Sequence, residues 1–194
     1  MSFDEHTYSV LVVSSADNFN TAMTAMLPKF SCQPIIYANS ITTAKRAVAE
    51  REYDFIVINS PLKDDLGVRF AIDNSKKSVV LVLSPNEIHA DVYDKVGPYG
   101  VFTLPKPMSH QAMDTALRWM KSAKIKLQKV ETKSTKMEDK MEEIRLVNKA
   151  KWLLISKEGL LEPEAHHRLE KEAMNRCISK KEYAKEIIDK YENS

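Results

Sequence analysis

Val79-Val-Leu-Val-Leu83 is apolar at every position, with no Gly or Pro inside the run. A strand with one wet face alternates polar and apolar residues. An unbroken apolar run points instead to a strand covered on both faces, as in a parallel sheet flanked by helices. Ser9-Val-Leu-Val-Val13, Phe55-Ile-Val-Ile58 and Gly100-Val-Phe-Thr-Leu104 read the same way. A weaker strand, Gln33-Pro-Ile-Ile-Tyr37, lies between the first two of these. Amphipathic stretches separate the runs: Asn20–Leu27 carries Met23 and Leu27, and Ile41–Glu50 carries Ile41, Ala44 and Val48. Ser109–Met120 carries Ala112, Ala116, Leu117 and Met120. Five strands, each followed by a helix or a helix-length segment, predict a doubly wound α/β domain with a five-stranded parallel sheet. Its functional crevice is then expected in the loops at the carboxyl ends of the strands.

The whole chain has 194 residues, 29 Lys+Arg against 27 Asp+Glu, and a net charge of +2. With 43% hydrophobic and 29% charged residues it has room for one large or two small globular domains. No apolar stretch approaches the roughly 20 residues of a membrane-spanning helix, so no membrane association is expected. Met1-Ser-Phe-Asp-Glu-His6 lacks the basic and apolar regions of a secretory signal. Cys32 and Cys177 are too few and too far apart for a disulfide framework or a cysteine-rich zinc site. The expectation is a cytoplasmic protein without a metal or other cofactor. Charge is unevenly spread: residues 1–120 hold 11 basic and 13 acidic side chains, residues 121–194 hold 18 and 14. A basic tail on a mildly acidic front suggests a polyanion-binding part attached to something else.

The front half resembles a bacterial response-regulator receiver domain over about residues 8–122. The marks are Lys106-Pro107 after the last strand, Ser84 closing the fourth, and Gly67 after the third. The resemblance implies two acidic residues after the first strand to hold magnesium, where this chain has Ser14-Ser15. It also implies a phosphoryl-accepting aspartate at the end of the third strand, where this chain has Asn59. A neutral amide is a far poorer nucleophile than a carboxylate, and magnesium prefers anionic oxygens. Without the metal, charge on a transferring phosphoryl group lacks its main neutraliser. Thr103 stands where the family has its aromatic switch, with Phe102 one residue earlier. The domain over 1–122 therefore reads as a pseudo-receiver whose pocket (Ser14, Ser15, Asn59, Ser84, Lys106) is degenerate. Lys106 is expected to bond Asn59 or Ser84. Asp64 and Asp65 are candidates for a cation but more commonly solvated on a loop. No replacement catalytic set is visible, so the chain does not read as an enzyme.

No Pro or Gly interrupts residues 109–157. Met113, Met120, Leu127, Ser134 and Met141 repeat every seven residues, as do Ala116, Ala123, Val130, Met137 and Ile144. Three- and four-residue steps sustained this long predict a coiled coil over 113–146, favouring a parallel homodimer over a lone helix packed against its own domain. The seam would use Met120, Leu127, Val130, Met137, Met141 and Ile144.

Beyond it, Pro163 suits a helix start and Ser179-Lys-Lys-Glu182 reads as a capping box opening a further helix. Ala165, Leu169 and Ala173 share one face of the first, while Tyr183, Ala184, Ile187 and Ile188 are the apolar face of the second. The fold class is thus α/β plus all-α, ending in a small three-helix bundle. Ala150-Lys151, Leu153-Leu154, Gly159, Glu164-Ala165, Leu169, Ala173-Met174 and Ala184 resemble, with unbroken spacing, the ANTAR module. That is the RNA-binding unit of transcription antiterminators of the AmiR and NasR type, here covering 138–194. Trp152 departs from the pattern, which has Gly there, and Leu161 replaces a polar helix cap. Trp152 must fill a gap between helices or sit partly exposed, and a core position is favoured over a base-stacking platform; Met174 is expected in the core.

The resemblance implies binding to paired stem-loops in leader RNA, which prevents terminator formation. Such binding needs cations for phosphates and amide or flat groups for loop bases. Arg145, Lys149, Lys151, Arg168, Lys171, Asn175, Arg176, Lys180 and Lys181 are the candidates, with Lys151, Arg176 and Lys180 foremost. A lysine on a helix face is also, in most proteins, simply a soluble surface. His166 and His167 have no ligand partners at metal spacing. The expectation is a homodimeric antitermination regulator, controlled through its front domain by a signal-transmitting protein or a ligand. The alternative is a protein-interaction scaffold in a signalling pathway without RNA binding.

Overall fold

A computed structural model describes residues 7–192. They form two compact units, divided at Gln128/Lys129. In the first, strands β1 (Tyr8–Val13), β2 (Cys32–Ala38), β3 (Phe55–Asn59), β4 (Val79–Pro85) and β5 (Phe102–Lys106) alternate with helices. These are α1 (Asp17–Met26), α2 (Ile41–Glu50), α3 (Val68–Asn74), α4 (His89–Val96) and the start of α5 (His110–Glu158). The sheet is five-stranded and parallel in the order β2-β1-β3-β4-β5.

The unbroken apolar runs are explained by where their two faces go. Val10, Val12, Val57, Leu81 and Leu83 pack with Met23 and Met26 of α1 and Met113, Ala116, Leu117 and Met120 of α5. Leu11, Val13, Ile56, Ile58, Val80 and Val82 pack on the other side against Ile41, Phe70, Ala71, Val92 and Val96. The sheet edge β2 is exposed at most of its inner positions, which is why its sequence signal is weaker. β5 begins two residues later than its sequence suggests, because Gly100 closes a turn in the left-handed region. α3 and α4 are short helices that the apolar pattern left as unassigned helix-length segments.

Caps fix the helix starts. Thr43 N–H donates to Ser40 Oγ at 3.1 Å, and Ile41 and Thr42 N–H donate to the Asp64 carboxylate at 3.1 Å each. Asp64 is thus a cap for α2, neither a cation ligand nor a merely solvated loop residue. Gly67 precedes α3 at φ +77°, and a Cβ there would lie 2.8 Å from Ile58 Cγ2, so both conformation and space require glycine.

In the second unit the end of α5, α6 (Glu162–Asn175) and α7 (Lys180–Glu192) enclose a separate small core. It comprises Ala150, Leu153, Leu154, Ala165, Leu169, Ala173, Tyr183, Ala184, Ile187 and Ile188. Ser179 and Glu182 cap α7 reciprocally: Glu182 N–H donates to Ser179 Oγ at 3.1 Å and Ser179 N–H to Glu182 Oε2 at 2.8 Å. At α6 only half of this exists, since Leu161 N–H reaches Glu164 Oε2 at 2.9 Å but the leucine side chain accepts nothing. The other end is closed well. Ile178 N–H bonds Ala173 O at 3.0 Å and Cys177 N–H bonds Met174 O at 3.1 Å, a Schellman pair with Cys177 at φ +53°. Among the described residues no helix is long and apolar enough to cross a membrane.

Candidate functional site

Parallel strands bring their carboxyl ends to one edge, and the polar residues cluster there. Asn59 ends β3, Lys106 ends β5, Ser84 lies near the end of β4, and Ser14 follows β1. Lys106 Nζ donates to Asn59 Oδ1 at 2.8 Å. Asn59 Nδ2 donates in turn to Ser14 Oγ at 3.1 Å, which also accepts the Ala16 N–H at 3.1 Å. Ser84 Oγ is fully buried and pairs with His89 Nδ1 at 3.0 Å rather than with Lys106. Ser15 and Asp17 are exposed beside this network. Burial pushes the Lys106 ammonium below its ordinary pKa. The pocket holds one cation facing a neutral amide. Asp65 is turned to the Gly67 N–H and Asp64 to α2. Among the described residues no three His, Cys, Asp or Glu side chains stand close enough to hold a metal ion.

A second candidate surface lies on the three-helix unit, where most of the foreseen cations already face carboxylates. Lys149 Nζ is 2.7 Å from Glu192, Lys151 2.9 Å from Glu162, and Arg176 2.8 Å from Glu186. Arg168 pairs with Glu158, Lys180 with Glu170, and Lys181 with Glu142. The Arg176 guanidinium also lies 5.0 Å from the Tyr183 ring centre. Hydrogen bonding by Tyr191, against the upward push of burial, holds Glu158 below the usual carboxylate range with help from Arg168. Arg145 and Lys171 are in no ion pair among the described residues, and Asn175 is exposed. The pairs lie at the surface, where solvent screens them, so they do not lock the cations away.

Three expectations need correcting. Met120 is 1% exposed, sealed with Met113 and Ala116 under the sheet, so it is no seam residue. The exposed stripe begins at Leu127 and continues through Val130, Met137, Met141 and Ile144. Trp152 is 70% exposed and Met174 74% exposed, where both were expected in the core. On α5 the core of the second unit is taken by Ala150, Leu153 and Leu154, and Trp152 faces away from them. Met174 likewise turns from the face of Ala165, Leu169 and Ala173.

Residues 135–188 match the ANTAR domain family. The front unit is similar to solved receiver domains. The signal receiver domain of an HD domain-containing protein from Pseudomonas fluorescens superposes with a TM-score of 0.57 at 17% identity, covering 66% of this chain and 96% of that one. The beryllofluoride-activated NtrC4 receiver domain gives 0.53 at 23% identity, over 60% and 98%. The Vibrio cholerae chemotaxis response regulator CheY4 gives 0.52 at 15% identity, over 59% and 99%. At these identities the likeness carries the fold alone. No curated protein sequence matches the chain. The chain thus joins a front unit with a receiver-like fold to a later segment, residues 135–188, that matches the ANTAR domain family.

Proposed function

We propose that this chain is a dimeric RNA-binding antitermination regulator whose front domain is governed by contact with a protein or ligand instead of by phosphorylation. The observation that carries the reading is the ANTAR match over residues 135–188, in a unit rich in exposed Lys and Arg. ANTAR modules are the stem-loop-binding parts of antiterminators. Here Lys151, Arg168, Lys171, Arg176, Lys180 and Lys181 would meet phosphates, and Asn175 a base edge.

Phosphotransfer is disfavoured by chemistry at the strand ends. Asn59 Oδ1 is already engaged by Lys106, and Ser14 offers a hydroxyl where a divalent cation needs anionic oxygen. Dimerisation is supported by the exposed apolar stripe from Leu127 to Ile144, which a lone helix would leave in water.

The test is fluorescence anisotropy of full-length protein with a labelled two-hairpin RNA over a salt series. Tight binding at low salt, falling steeply with salt, and weakened by Lys151→Ala with Arg176→Ala, is the expected result. Absence of binding at low salt removes the proposal and favours a scaffold role.

A further inference from the structure

Ile125 is an apolar side chain that neither the sheet nor the exposed stripe accounts for. It is 39% exposed and belongs to neither core of the front unit. An α-helix turns once in about 3.6 residues, so Arg118, Lys121, Ser122 and Ile125 share one side of α5, while Leu127 and Val130 lie on the other. On that outer side a groove of about 490 Å³ runs between α5 and the turn Leu27–Phe30 that follows α1. Lys29 and Phe30 line it from the turn, and Arg118, Lys121, Ser122 and Ile125 from the helix, together with Asp114.

The charge of this groove is one-sided. Three cations face one carboxylate, and that carboxylate is already engaged: Arg118 Nε donates to Asp114 Oδ2 at 2.8 Å. Lys29 and Lys121 are in no ion pair among the described residues. Between Asp114 and Glu131 the helix contributes no acidic side chain. Asp54, at the amino ends of the strands, is held by the Ser9 N–H and by Lys124. Ring contacts place two of the cations: the Arg118 guanidinium lies 5.7 Å from the Phe30 ring centre, and the Lys121 ammonium 5.6 Å from that of Tyr8. In the carboxy-terminal unit, by contrast, most cations have a glutamate for a neighbour.

The apolar part of the groove decides what kind of anion fits. Phe30 packs against the core and carries Arg118 over its ring, and Ile125 is aliphatic, so no open aromatic face is left for a base to stack on. Nucleic acid would use the cations alone. A protein segment with Asp or Glu beside an apolar side chain uses both features, its carboxylates meeting Lys29, Lys121 and the spare Arg118 donors while its apolar group covers Ile125. We infer that this groove docks an acidic segment of another protein through an apolar anchor. As the point of control it rests on the reading above of a front domain governed by protein contact, but the docking itself is measured without RNA.

Fluorescence anisotropy of the full chain with a fluorescein-labelled peptide of repeated Glu-Glu-Leu tests it. The peptide binds at low salt and is released as salt rises. Lys29→Glu and Lys121→Glu each weaken binding about tenfold, whereas Lys95→Glu, the same charge change at an exposed position of α4, leaves it unchanged. A peptide with Ser in place of Leu binds about tenfold more weakly, and Ile125→Ser levels the two peptides. No binding, equal affinity of the original chain for both peptides, or an equal loss with Lys95→Glu overturns the proposal. It also falls if the peptide stays unbound while Lys29→Glu and Lys121→Glu weaken binding of the two-hairpin RNA, because the groove then serves nucleic acid. Failure of the peptide leaves the RNA titration of the unaltered chain standing, so the two readings fail separately.

Discussion

Replacing Asn59 by Asp is the most informative single change in the front domain. Lys106 Nζ lies 2.8 Å from Asn59 Oδ1, so the substitution converts a hydrogen bond to a neutral amide into a charge-paired one. Ser14 Oγ loses the donor at 3.1 Å, yet it still accepts from Ala16 N–H and can turn its own proton to the new carboxylate. A charge-paired bond exceeds its neutral counterpart by about 1 kcal/mol after carboxylate desolvation is subtracted. For a domain of this size that raises the melting temperature by about 4 °C. The introduced carboxyl is held low by Lys106, so the gain is full above its unfolded pKa near 4. It vanishes as pH falls through the folded value. Differential scanning calorimetry at pH 7 and at pH 3 measures both. Incubation with acetyl phosphate and magnesium, followed by intact-mass measurement, should show no phosphoryl adduct, because Ser14 and Ser15 supply hydroxyls in place of carboxylates and leave the metal site incomplete. A lower melting temperature at neutral pH refutes the ion-pair account, and a phosphoryl adduct refutes the metal argument.

Asp54 makes a second pH-dependent tie. Burial pushes its carboxyl up, but the Ser9 N–H at 2.9 Å and the Lys124 ammonium at 3.0 Å prevail and hold it below the usual range. Its contribution is therefore complete above the unfolded pKa near 4 and lost as pH drops through the folded one. Asp54→Asn should cost about 1–3 kcal/mol in urea unfolding at pH 7, and the cost should shrink steadily as the pH is taken down from 4; a cost that does not fall with pH sinks the assignment. Leu169, 0% exposed, centres the small bundle core, and Leu169→Ala should cost about 2–5 kcal/mol. Limited proteolysis should then cut within 162–192 while the front unit resists. Trp152→Ala and Met174→Ala should each move stability by less than about 0.5 kcal/mol in thermal melts, since both side chains stand in solvent. A loss comparable with that of Leu169→Ala would place them in the core after all.

The sheet was legible because burial on two faces leaves an unbroken apolar signature, as at Val79–Leu83. β2 reads weakly because an edge strand needs no such run. The Ser179–Glu182 cap was equally plain, since it is a local contact over three residues. What sequence could not show is which neighbour an apolar helix residue meets. Met113 and Met120 fit the seven-residue repeat as well as Met141 does, yet the sheet claims them. Nor does hydrophobicity separate Leu154, 1% exposed, from Trp152 two residues earlier. The ion pairs of the tail were illegible for a related reason. Lys149 and Glu192, or Lys181 and Glu142, are about forty residues apart in the chain, and only the packing of three helices introduces them.

Those carboxylates have a consequence for what the surface can sense. Each glutamate beside Lys151, Arg176 or Lys180 is a resident competitor at high local concentration. Any one of these weak surface pairs can open for a passing phosphate, but opening several at once takes an anion that meets them together. A folded polymer presents many phosphates at fixed spacing and dislodges them together, its second and third contacts coming at little further entropic cost. On the RNA-binding reading, these pairs would make the bundle discriminate by the length and shape of its ligand.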